Sequence, residues 1–264
     1  MTRLFTGTLI AGGWLLLLLY GSPLVFHVAM VAGAGLMLRE YTAMAMAADG
    51  AAPRLLAAVA ALLPVATAGT GSLAAVAHGL VGGQVLLFCS VILLYQRLAD
   101  PFAFLAKAGF AVVWIGLFSA AFVLLFAGED GWRWLLFLTL VVGSADTAAL
   151  YAGTFLGRHK LCTAISPKKT VEGLAGGLAG AVAAGLLSRQ LFLPGHNWLP
   201  MFGLCLLLAL LALVGDLTES VIKRSCGVKD SGTLLPGHGG ILDRVDAMLV
   251  TAPVLYYIVD HGLI

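Results

Sequence analysis

Apolar residues along this chain run in stretches of 15 to 23, broken by short polar or glycine- and proline-bearing joints. A helix crossing the hydrocarbon of a bilayer needs about 20 mostly apolar residues. Nine stretches approach that length: Leu4–Tyr20, Pro23–Leu38, Leu55–Thr70, Leu73–Leu94, Ala108–Ala127, Trp134–Leu156, Val171–Leu187, Trp198–Leu217 and Val245–Val259. The pattern predicts an all-α polytopic integral membrane protein of about nine transmembrane helices, with no soluble domain between them. Arg3 precedes the first apolar run as it would in a signal peptide. No small-x-small cleavage pattern precedes Pro23, and another apolar run follows at once, so the first run is expected to stay as a span.

Composition agrees with the pattern. Only 11% of residues are charged and the mean hydropathy is +1.01, whereas soluble domains are about 25% charged. A net charge of +2 does not point to nucleic acid as a partner. Cys89, Cys162, Cys205 and Cys226 are scattered, without the spacing of a zinc site or a disulfide framework. Nine alternating spans put every Lys and Arg except Arg133 and Arg189 on one side of the membrane. The positive-inside rule makes that side cytoplasmic, with the N-terminus inside and the C-terminus outside.

The charges divide the chain into two parts. Residues 1–131 read as a scaffold of N-terminal helices: His27 and His78 lie in apolar runs as packing residues, and Glu40 and Asp49 fall in a solvated loop. Residues 132–264 carry the chemistry. Asp146 sits within the sixth span, where a carboxylate is costly unless it is neutral, paired or bound to a cation. A basic loop follows it, with Arg158, His159 and Lys160, then Ser166, Lys168, Lys169 and Thr170. The lysines suit either ordinary cytoplasmic anchoring or, with the nearby hydroxyls, phosphate oxygens. Gly173 and Gly177, and Gly176 and Gly180, form Gly-x-x-x-Gly pairs that serve either packing within one chain or a homodimer contact.

The most polar stretch is Ser220–Asp246, SVIKRSCGVKDSGTLLPGHGGILDRVD. It holds seven charges, Lys223, Arg224, Lys229, Asp230, Asp243, Arg244 and Asp246. Burying them all in lipid would cost roughly 20 kcal/mol at about 3 kcal/mol each, so the segment must face water, a cavity or a charged ligand. Just before and within it, Asp216, Ser220 and Lys223 share one helix face, forming either a salt-bridge network or part of a site. Asp243 and Asp246 recur side by side at the start of the last span, and Gly237, Gly239 and Gly240 leave room for close backbone approach. His238 is either a ligand contact or a turn residue.

Carboxylates from two helices, Asp216 and Asp243, with Asp146 a further candidate, suit a hard cation, and the surrounding Lys and Arg suit a multiply charged anion. A magnesium-bound polyphosphate supplies both. No P-loop or dinucleotide fingerprint is present, and phosphoryl or nucleotidyl transfer needs no covalent nucleophile. The run Ser220–Asp246 closely resembles the signature of phosphatidate cytidylyltransferases, also called CDP-diacylglycerol synthases, and the stretches from Asp146 and from Ser166 resemble the same family. That resemblance implies CTP and phosphatidate as substrates, Mg2+ as cofactor, membrane lipid as setting and the cytoplasmic face of a bacterial inner membrane as location. It implies Asp216, Asp243 and Asp246 as metal ligands, with Lys223 and Arg224 joining them in catalysis. Asp146, Ser166, Lys168, Lys169, Ser220, Lys229, Asp230 and His238 would then bind substrate.

Two other readings compete. An ion-coupled transporter uses intramembrane acids and glycine-rich helices, but it predicts symmetry between halves, and the charge here is concentrated in one. A CDP-alcohol phosphotransferase would need a longer spaced-aspartate pattern than Asp243-Arg244-Val245-Asp246 supplies.

Overall fold

Each of the nine apolar stretches becomes helix, and the local start signals are visible in the sequence. Ser22 and Ser72 cap the second and fourth helices by accepting from Val25 N and Ala75 N, and Asp100 caps the next through Phe102 N and Ala103 N. Proline follows Ser22 and Asp100 at the first helical position, where its missing N–H costs nothing. The structure is a computed structural model that describes residues 2–235, 237 and 239–264, with side chains from residue 6 onward.

The helices are α1 (Thr2–Tyr20), α2 (Pro23–Ala45), α3 (Ala51–Ala68), α4 (Leu73–Leu94), α5 (Pro101–Ala111) and α6 (Phe118–Ala127), then α7 (Gly131–Phe155), α8 (Val171–Phe192), α9 (Trp198–Ser225) and α10 (Leu242–Asp260). A π-helical turn, Val112–Leu117, joins α5 to α6 in one continuous span. A short antiparallel hairpin, β1 (Lys160–Cys162) and β2 (Ser166–Thr170), lies between α7 and α8. Among the described residues seven helices are long and apolar enough to cross a membrane, α1 is apolar over Thr6–Tyr20, and α10 starts with charged residues. The protein is an integral membrane protein.

Several helices outlast their apolar stretches. The second apolar run ends at Leu38, yet α2 continues to Ala45; the eighth ends at Leu217, yet α9 continues to Ser225. Arg39, Glu40, Glu219 and Lys223 stop hydrophobicity without stopping a helix, because charged side chains are good helix formers. The expectation that Glu40 sits in a solvated loop is therefore wrong. It belongs to α2 and is only 8% exposed. Asp49 is buried as well.

By packing, the chain divides into two units, Met1–Glu129 with Ser225–Val245, and Asp130–Arg224 with Asp246–Ile264. In the first unit α3 is the hub. Pro64 leaves the Ala60 carbonyl without its helical donor. Gly83 of α4 and Gly116 of the π-turn lie against the Ala60 and Ala61 carbonyls, where any side chain would collide. Phe26 stacks on Phe126 with ring centroids 4.0 Å apart. His27 packs against α3, its Nε2–H donating to the Val65 carbonyl at 3.0 Å.

In the second unit α7 and α8 pack backbone to backbone. Gly173, Gly176, Gly177 and Gly180 lie against Ala145, Ala148, Ala149 and Ala152, two stripes of small residues face to face. The Gly-x-x-x-Gly pairs are thus used inside one chain. Gly185 makes room for Cys205 of α9, and Gly215 of α9 lies against the backbone of Asp246 and Ala247 in α10.

Candidate active site

The second unit holds a cavity of about 630 Å³. One face of α7 lines it (Asp146, Leu150, Thr154), with the hairpin (Lys160, Ser166, Lys168, Lys169), the start of α8 (Gly173, Leu174, Leu178) and α9 (Ala209, Leu213, Asp216). At 1.5 Å rise per residue, Asp146 lies about 13 Å below the end of α7. The cavity thus runs from a cationic rim on the hairpin down to leucine and alanine between the helices.

The loop that the sequence shows as basic and irregular is held as a hairpin by its flanks. Thr170, buried, caps α8 by accepting from Gly173 N at 3.0 Å. Glu172 reaches back to accept from the backbone N–H of Arg158 at 3.0 Å and of His159 at 3.2 Å, and its other oxygen meets His159 Nδ1 at 2.6 Å. Lys160 pairs with Thr170 and Cys162 with Ser166 across the strands. Lys160, Ser166, Lys168 and Lys169 thereby line the same cavity.

Acidic groups face that rim. Lys169 Nζ is 2.5 Å from Asp216 Oδ2, and Ser220 donates to Asp216 Oδ1 at 3.4 Å. Asp146 stands on the same cavity wall. Asp246, buried, lies within electrostatic reach of Asp216 and Asp146 and is hydrogen-bonded with Glu219. Glu219 is 1% exposed and takes Lys223 Nζ at 2.6 Å. Lys223 therefore has a structural partner one turn away, and the alternation of acid and base along α9 is in part an internal ion pair.

The remaining signature residues belong to the first unit. Asp243 accepts from Ser231 N at 3.0 Å and from Gly240 N at 2.8 Å. Gly237 and Gly239 have φ of 76° and 80°, a backbone region that favours glycine. Gly240 leaves room for a different occupant from the expected ligand: its bare Cα faces Glu40 and Ser231. Lys229, Asp230 and Arg224 are exposed. His238 lies outside the described residues.

Magnesium can be tested against these groups by chemistry. Asp146, Asp216 and Asp246 offer only carboxylate oxygens, the donors a hard divalent cation prefers, and one cation, the Lys169 ammonium, already sits on Asp216. Among the described residues no three His, Cys, Asp or Glu converge as a ready-made metal centre. The donor atoms are of the type the ion takes.

Two residues stand outside the expected site residues. Lys160 shares the cavity wall through the hairpin register, which a three-residue strand does not advertise. Glu40 binds the signature segment from α2, 191 residues before Ser231; its one sequence trace is the pair of glycines, Gly232 and Gly240, that make room for it.

A family model described as the cytidylyltransferase family matches residues 1–261. A phosphatidate cytidylyltransferase of Brucella suis biovar 1 is 42% identical over 180 residues, 66% of this chain and 63% of that protein. One of Staphylococcus epidermidis is 33% identical over 257 residues, 96% of this chain and 92% of its own. One of Synechocystis is 49% identical over 119 residues, 45% of this chain and 40% of that protein. The chain thus spans less than two thirds of the Brucella relative and nearly all of the Staphylococcus one.

Proposed function

Because the chain belongs to the cytidylyltransferase family, we propose that it transfers the cytidylyl group of CTP to phosphatidate, giving CDP-diacylglycerol and pyrophosphate. The observation that carries the substrate choice is the cavity, cationic at its rim and, apart from Asp146, apolar in its depth, which suits a phosphate on a diacyl lipid. A phosphatidate oxygen attacks the α-phosphorus of CTP. The bond from that phosphorus to the oxygen bridging to the β-phosphate breaks, and pyrophosphate leaves with the electron pair. The attacking oxygen is already unprotonated, so no side chain need act as base and His238 is dispensable for the chemical step.

Lys160, Lys168 and Lys169, with the Ser166 hydroxyl, hold phosphate oxygens at the rim and keep the attacking group near its target. Ser220 and Lys169 fix the Asp216 carboxylate between them. Asp216 and Asp246 would hold magnesium, which when bound would neutralise charge on the triphosphate, and the family resemblance gives Asp243 a ligand role as well. Arg224, Lys229 and Asp230, exposed within the signature, would meet the nucleotide. The Lys and Arg asymmetry supports placing this face in the cytoplasm of a bacterial inner membrane, where CTP is made; reporter fusions at the two ends landing on the same side would overturn that orientation.

The test is purified protein in detergent with labelled CTP, phosphatidate and magnesium. Label should pass into a lipid-soluble product, and Asp216→Ala or Asp243→Ala should abolish this in protein that still folds. No product with any nucleotide would return the chain to the transporter reading.

A further inference from the structure

The carboxylate of Glu40 is nearly buried, and an unsatisfied carboxylate there would be costly. It is met by three donors from one distant segment: Ile241 N at 3.0 Å on Oε1, with Leu242 N at 3.0 Å and the Ser231 hydroxyl at 3.2 Å on Oε2. Leu242 presents the first N–H of α10, and Ile241 the N–H just before it, which no residue within that helix can satisfy. Glu40 is thus a helix cap supplied by another helix. It also does something a cap need not do. Ser231 gives its hydroxyl to Glu40 and its backbone N–H to Asp243, and Gly240, the residue before Ile241, gives its N–H to Asp243 as well. Both of these backbone groups on the Asp243 carboxylate are therefore themselves held by, or adjacent to, groups held by Glu40. A Cβ on Gly232 would stand 2.7 Å from Glu40 Oε1, so the segment carries glycine where the carboxylate enters.

We propose that Glu40 is a positioning residue for Asp243: it sets the backbone of the 231–242 segment so that Ser231 and Gly240 point the Asp243 carboxylate. The activity consequence rests on the cytidylyl-transfer reading above; the geometric consequence does not.

Glu40→Gln keeps the size of the side chain but puts an NH2 donor where an oxygen now accepts from Ile241 or Leu242. Residue-resolved amide exchange on the full-length protein in detergent is measured beside steady-state kinetics. The expected result is exchange at the Ser231 and Gly240 amides about tenfold faster than wild type, with kcat about tenfold lower and the phosphatidate KM within about twofold, as loss of one charge-assisted hydrogen bond implies. Ser231→Ala, which cuts only the hydroxyl link, should move both readouts the same way by about threefold, and it decides the matter if Glu40→Gln does not fold. Faster exchange confined to Ile241 and Leu242, with Ser231 and Gly240 protected as in wild type, would make Glu40 a plain cap and overturn the proposal, as would a wild-type kcat in Glu40→Gln. If the wild-type protein makes no CDP-diacylglycerol, the functional reading fails, and the exchange pattern alone still decides the role of Glu40.

Discussion

Replacing Lys169 by methionine removes one charge from the cavity while leaving most of the aliphatic stem in place. Its ammonium lies 2.5 Å from Asp216 Oδ2, with the two side chains 21% and 37% exposed. An ion pair this open to solvent contributes about 1 kcal/mol or less to folding, and methionine retains the packing of the stem. The melting point should therefore move by no more than about 2–4 °C. A cation placed where charge develops on a transferring phosphoryl group acts on another scale: removing one such donor costs on the order of 10²–10³ in rate, about 3–4 kcal/mol. Lys169→Met should thus lower kcat/KM by about 10² in protein that melts almost as wild type does, measured by transfer of labelled CTP into lipid in mixed micelles. The magnesium requirement supplies a sign as well. The ammonium occupies an oxygen that a divalent cation would use, so half-saturation by magnesium should fall in the variant. Activity within about threefold of wild type, or a loss that merely follows the loss of folded protein, would refute the assignment of Lys169 to the phosphates.

Gly177→Val would push a side chain into the seam between α7 and α8, where even a Cβ stands 3.0 Å from the Ala145 carbonyl and 3.1 Å from Ala149. It should cost about 1–3 kcal/mol of stability by overpacking, read as a lower melting point in detergent, and should lower activity because both helices line the cavity. Gly143→Ala, with nothing within 4 Å of the new methyl, should leave the fold intact or gain up to about 1 kcal/mol from helix propensity. Chelation of magnesium should stop turnover reversibly. If the ion is held at a hundredfold excess over its dissociation constant, chelation should also remove about 2.7 kcal/mol of stability, and an unchanged melting point on chelation would count against a folded-state site.

Much of the architecture is legible because a bilayer makes length and hydropathy diagnostic. All nine apolar stretches become helix, and the facing stripe on α7, with small residues at 145, 148, 149 and 152, is as readable as the glycines of α8 that it meets. Helix ends are less legible. Hydropathy marks where lipid stops, and α2 and α9 run past that point into charged surroundings. The hairpin is invisible for a different reason. Three residues of β1 are too few for a period-two pattern, and the register comes from Thr170 and Glu172 tying the loop to the start of α8.

Asp146 and Glu40 show which acids the hydropathy pattern singles out and which it passes over. Both are carboxylates attached to apolar helices, and the same desolvation argument applies to each. Asp146 attracts it because apolar residues lie on both sides. Glu40 does not, since Arg39 precedes it and the apolar run has just ended, which looks like the start of a loop. What separates a buried acid from a solvated one at a helix end is the partner, and two of the three donors to Glu40 are backbone N–H groups with no side-chain signature, the third being the Ser231 hydroxyl 191 residues away. The compensating mark lies on the other segment. A buried carboxylate satisfied by main chain requires that main chain to come within about 3 Å, which favours residues without a Cβ at the approach. Gly232 and Gly240 flank the region that Glu40 enters, whereas Gly237 and Gly239 serve backbone conformation at positive φ. The glycines of the signature therefore do two separate jobs, and substitution at Gly232 should be relieved by shortening Glu40 to aspartate, while substitution at Gly239 should not.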